Sequence, residues 1–126
     1  MVASQKGEAK ILEHWWPSWF GIPMQICSSA ERAVMPGMLE EAEINALRSL
    51  PSAEFDVRFV KLMIRHHAGA VAMSDAELRN GSDLRLRIMA HAVRHEQQGE
   101  IALMNGASGT AAVQLAVRNM FADNVN

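Results

Sequence analysis

The sequence predicts an all-α protein, an antiparallel helical bundle of about four helices, and three observations carry that prediction. From Met38 onward the apolar residues recur at helical spacing, no stretch shows the apolar–polar alternation of a half-buried strand, and all four prolines (Pro17, Pro23, Pro36, Pro51) lie in the first half. The links between periodic stretches are short, which favours antiparallel neighbours. With 126 residues the chain has room for one compact core.

The elements follow in order. Residues 1–37 read as an irregular leader with one short helix before Pro17, and its aromatic cluster is His14, Trp15, Trp16, Trp19 and Phe20. Those indoles suit either the end of a helical core or a subunit contact, or else a lipid-interface patch. Residues 38–126 read as the bundle. Leu39, Ile44, Leu47 and Leu50 share a stripe, Glu40, Glu41 and Glu43 sit early where they suit a helix dipole, and Pro51 stops this first helix. A second helix is expected from Ser52, a plausible cap, to about Arg79, with Asn80-Gly81 as the stop. Ser82 or Asp83 caps a third that runs to Met104 and ends at Asn105-Gly106, and an amphipathic stretch from Thr110 to Phe121 makes the fourth.

Composition excludes several function classes. Twelve basic residues against 14 acidic ones, a net charge of −2 and no basic cluster leave nothing for nucleic acid to bind. Cys27 is the only cysteine, so neither an internal disulfide nor a thiolate zinc cluster is available. The apolar run from Ile11 to Cys27 is broken by Glu13, His14, Pro17, Pro23 and Gln25, so no spanning segment is expected, and no export signal is visible at the start. A nucleophile with an ordered base and a glycine-rich phosphate loop are both missing from the pattern.

The second helix, projected at about 100° per residue, carries an anomaly. Arg58, Lys61, Arg65 and Ala72 fall on the side expected to face solvent, with Asp75 near its margin, while the opposite stripe is Asp56, Met63, His67, Ala70 and Ser74, edged by Phe55, Phe59, His66 and Met73. The third helix repeats it, with Glu96, Gln97 and Glu100 interrupting Leu86, Met89, Val93 and Met104. His91 and His95 are expected on its outer side with Arg87, Arg94 and Gln98. An antiparallel turn at Gly81 brings Met63, His66 and His67 level with Glu96, Gln97 and Glu100, Asp56 near Met104, and Met73 near Met89. Burying polar groups unpaired costs roughly 1–3 kcal/mol each, so they must find partners. Thioethers suit Cu(I), imidazoles suit copper, zinc or iron, and carboxylates suit harder ions. No glutamate here has a histidine three residues later, which argues against a di-iron centre. The competing reading is a metal-free core with methionines as fillers and the histidines bonded to Glu96 and Glu100.

The segment Phe55-Asp56, Phe59, Met63-Ile64, His66-His67, Ala70 and Met73 resembles the signature of domain-of-unknown-function family 305, as do Met35-Pro36-Gly37-Met38 upstream and Gln97, Glu100-Ile101 and Met104 downstream. This resemblance implies a ferritin-like bundle, export to the periplasm or outside the cell, and, from CopM-like members, copper binding and copper resistance. The positions it marks are Met35, Met38, Asp56, Met63, His66, His67, Met73, Gln97, Glu100 and Met104. The expectation is therefore a non-enzymatic protein that binds and sequesters a copper ion, with zinc or iron as other candidates and no catalytic residues. His66, His67 and Met63 would be its ligands, Gln97 and Glu100 would complete or orient the shell, and Met35, Met38, Met73 and Met104 would make a relay or a second soft site. A metal-dependent oxidoreductase and a metal-free interaction bundle, including a homo-oligomer, are the alternatives.

Overall fold

The computed structural model describes residues 2–106 and the isolated positions 114, 117 and 118. Among the described residues the secondary structure is entirely helical. The elements are α1 (Val2–Phe20), α2 (Ser29–Val34), α3 (Glu41–Arg48), α4 (Ser52–Asn80) and α5 (Leu84–Met104). The expected helix from Thr110 to Phe121 lies outside the described residues. The chain divides into two compact units, Met1–Arg32 and Ala33–Asn126.

In the first unit the leader is not irregular. α1 runs straight through Pro17, although a proline inside a helix removes one hydrogen bond and crowds the preceding turn. Local contacts span the defect: Trp15 and Trp19 meet edge-on at 6.1 Å, Trp16 and Phe20 lie 4.3 Å apart, and the Ser18 hydroxyl donates to the Trp15 carbonyl. Among the described residues the buried indole N–H of Trp16 has no hydrogen-bond partner, which costs about 1–3 kcal/mol. α2 starts at a reciprocal box in which Glu31 N–H donates to Ser28 Oγ while Ser28 N–H and hydroxyl both donate to Glu31 Oε2. Those bonds from Ser28 lower the Glu31 pKa below its usual value.

In the second unit α4 and α5 form an antiparallel hairpin joined by Gly81–Asp83. Asp83 caps α5 as expected, accepting from the N–H groups of Arg85 and Leu86. Ser52 is not a cap; Pro51 holds that position and Ser52 begins the helix. The preceding helix starts later than Met38, at Glu41, where Glu40 N–H donates to Glu43 Oε2. Glu43 also takes a two-pronged bond from Arg65, at 2.9 and 2.5 Å, which ties α3 to α4. These bonds, Arg65 first and the Glu40 amide second, lower the Glu43 pKa to about 2 and raise that of Arg65.

The seam between α4 and α5 is unusually polar. The buried residues described on the two helices are Leu62, Gly69, Ala90 and Ala102 together with His67, Ser74, Arg94 and Gln97, of which Gly69 is covered by the loop before α3. Arg94 overturns the expectation of an outward face: it is 8% exposed and its Nε donates to Asp75 Oδ1 at 2.5 Å. Ala90, a small residue, is also buried on α5. The buried line on α5 is thus Ala90, Arg94 and Gln97, rotated from the expected Leu86, Met89, Val93 stripe, whose members are half-buried.

Candidate metal centre

His67 is the pivot of the seam. Its side chain is 0% exposed, its Nδ1–H donates to the Met63 carbonyl one turn back at 2.8 Å, and its Nε2 lies 2.5 Å from Glu100 Oε2. A carbonyl has no hydrogen to give, so Nδ1 carries a proton and Nε2 is the nitrogen turned to the carboxylate. Helical side chains lean towards their own N-terminus, and in an antiparallel hairpin this makes His67 and Glu100 converge although their backbones are offset. Gln97, 2% exposed, lies one turn before Glu100 on the same side.

His66 looks elsewhere. Successive helical residues are rotated by about 100°, so adjacent histidines cannot share a neighbour unless it is large. Its Nδ1–H donates to the carbonyl of Gly37 at 3.1 Å, in the loop before α3, while the two imidazole rings stand 6.1 Å apart at 76°. Of the expectation that both histidines face Glu96, Gln97 and Glu100, the contact of His67 with Glu100 is observed, whereas His66 turns to Gly37. Leu62 and Gly69 lie on the side of α4 nearer His66, and His67 and Ser74 lie about a third of a turn away.

The other expected positions separate into two groups. Met35, Met38, Met63 and Met104 are half-buried, and Met35 and Met38 flank the Gly37 carbonyl that holds His66. Asp56 is exposed and Met73 is 44% exposed, so neither belongs to the buried stripe in which the projection put Asp56. The periodicity there is sound, but α5 covers the later part of α4 and leaves its first turns open. His91 is exposed as expected, whereas His95 is half-buried and engaged. Among the described residues no group of three or more His, Cys, Asp and Glu side chains is placed to hold a metal ion. An open groove of about 540 Å³ between α3 and α4, lined by Ala46, Leu47, Leu50, Val57, Arg58 and Lys61, contains none of the expected ligands.

Sequence reasoning missed Gly69 and the Asp75–Arg94 pair. The first has a legible signal, a glycine inside a strongly helical stretch, which marks a close backbone approach. It also passed over a recurrence: Gln97-Gln98-Gly99-Glu100 on α5 has the same spacing as Gln5-Lys6-Gly7-Glu8 on α1.

A helical hairpin with a His-His turn on one arm, a Gln-x-x-Glu turn on the other and a Met-Pro-Gly-Met loop beside them defines the class to which the chain is compared. The domain-of-unknown-function family DUF305 matches residues 1–108, and the chain belongs to that family. A DUF305 fragment from Deinococcus radiodurans is similar, with 34% identity and a TM-score of 0.70 over 82% of this chain and 67% of its own. A DUF305 protein from Streptomyces coelicolor shares the fold at 24% identity and a TM-score of 0.65, covering 82% of this chain and 64% of its own length. The chain thus spans about two thirds of these solved relatives. No curated protein matches it. No described helix is long and apolar enough to cross a membrane.

Proposed function

We propose that this protein is a non-enzymatic copper binder that sequesters or delivers Cu(I). One observation carries the reading: His66 and His67 both commit Nδ1–H to a main-chain carbonyl. For His66 that fixes the tautomer whose Nε2 lone pair can bind metal, while the Nε2 of His67 lies against Glu100, and outer hydrogen bonds of this kind are what orient ligating histidines. Thioether residues lie on adjoining segments, Met35 and Met38 in the loop whose Gly37 carbonyl accepts from His66, and Met63 one turn before His67. Soft sulfur with imidazole favours Cu(I), an ion satisfied by few ligands, over zinc, whose structural sites want four. Glu100 would complete the shell, or orient the His67 ring from outside it. A ferritin-like, copper-handling role outside the cytoplasm fits this chemistry, and the Streptomyces relative carries the word secreted in its name.

The test is an anaerobic Cu(I) titration against a chromogenic chelator, with zinc, Cu(II) and iron in parallel. Met35→Leu/Met38→Leu and His66→Ala should each weaken Cu(I) at least tenfold and leave the helical circular dichroism unchanged. Equal affinity in wild type and both variants would reject the site. The melting temperature of the wild type should also rise with Cu(I), because a ligand specific for the folded state stabilises it.

A further inference from the structure

We infer that Gly37 and Gly69 form a backbone latch that sets the tautomer and orientation of His66. Gly69 is buried in the middle of α4, and a Cβ there would overlap the Pro36 carbonyl group and lie 2.6 Å from Gly37 Cα. Gly37 has φ +71°, and a Cβ on it would lie 2.7 Å from the Arg65 carbonyl oxygen, 2.8 Å from Gly69 Cα and 2.9 Å from the His66 carbonyl oxygen. Every one of these neighbours is main chain, so no side chain can move aside. The loop backbone rests directly on the helix backbone, and it does so from both directions.

The consequence falls on the Gly37 carbonyl. The turn is closed by Met38 N–H donating to the Met35 carbonyl at 3.2 Å, and the Arg65–Glu43 pair anchors the next element to the same stretch of α4. The Gly37 oxygen is thereby presented to His66 Nδ1 at 3.1 Å. A free neutral histidine prefers its proton on Nε2, the form that cannot ligate through that atom. The latch reverses the preference in advance, which is preorganisation of a donor. His67 obtains the same tautomer from its own helix, through Met63, and does not depend on the loop. Gly37 and Gly69 are thus positioning residues, and their effect on copper rests on the reading above while their effect on the tautomer does not.

The experiment is two-dimensional ¹⁵N–¹H NMR of the histidine ring nitrogens in the metal-free, full-length chain, at a pH where His66 is neutral. Wild-type His66 should carry its proton on Nδ1. In Gly69→Ala, and in Gly37→Ala as a second variant, the His66 proton should move to Nε2 while the His67 signals stay in place. Cu(I) affinity should fall about tenfold in both variants, the scale of lost second-layer support. An Nε2–H signal for His66 in the wild type would overturn the latch whether or not the variants fold, as would an unchanged His66 signal in a folded variant. Tautomers as expected with no Cu(I) binding in any protein would reject the copper role and leave the latch standing.

Discussion

Two helices of this chain carry the same four-residue spacing, Gln-x-Gly-Glu, and the structure gives them different surroundings. On α5, Gln97 is almost fully buried and Glu100 meets His67. On α1, Gln5 and Glu8 are only half-buried, along a stripe that continues through Leu12, Trp15, Trp16 and Trp19, and no described side chain between residues 4 and 32 is fully buried. In both helices the motif's Gln and Glu lie on the more buried side, beside apolar residues. What that side does depends on the neighbour: α5 has α4, whose histidine supplies the complementary nitrogen. The hairpin also shows that a core can be held by polar pairs when few aliphatic side chains are fully buried.

Breaking the strongest of those pairs should produce the largest effect. Asp75→Ala removes the carboxylate to which the buried Arg94 Nε donates, and should destabilise the fold by about 3 kcal/mol. Urea denaturation followed by circular dichroism measures it, and a loss below about 1 kcal/mol would mean the pair contributes nothing to the seam. Replacing both partners together, Asp75→Leu with Arg94→Met, should recover most of that loss, since no charge is then stranded.

The matched glutamines sharpen the comparison. Gln97→Ala removes a nearly inaccessible side chain and should cost about 2 kcal/mol, whereas Gln5→Ala on α1 should stay within about 0.5 kcal/mol. Equal costs in the same denaturation experiment would show that α1 is as tightly enclosed as α5. Within the first unit, Ser28→Ala removes the α2 cap and should reduce local protection from amide exchange by about 1 kcal/mol, with α4 and α5 unaffected.

The smallest effect is acid sensitivity at α3. Glu43 has a folded pKa of about 2 against an ordinary value of 4.5, so its contribution is complete above about 4.5 and fades as pH falls towards 2. Exchange protection in α3 should decline across that window, and Glu43→Gln should flatten the decline. Because the group lies at the surface, salt should weaken the dependence.

Much of the hairpin was legible in advance. Asn80-Gly81 and Asp83 bounded the turn, Pro51 separated α3 from α4, and the buried histidine of the His66-His67 pair was paired with the right turn of α5. Other parts were not. Pro17 read as a stop, because single-residue rules carry no information about two aromatic pairs, Trp15 with Trp19 and Trp16 with Phe20, packing across the defect. Arg94 read as a surface residue, because a hydropathy projection treats a guanidinium as outward-facing and does not register that its long stem can reach Asp75 across the seam.

The sequence by itself determined the helical class, the ends of the hairpin and the chemical inventory of the seam, because periodicity, caps and turn residues act over a few residues. Only the tertiary structure decided what each ring nitrogen faces. A rotation of about 100° per residue sends His66 to the Gly37 loop and His67 to Glu100. The contact that positions the loop is made between two glycine backbones, and a pattern of side chains has no means of recording where main chain touches main chain.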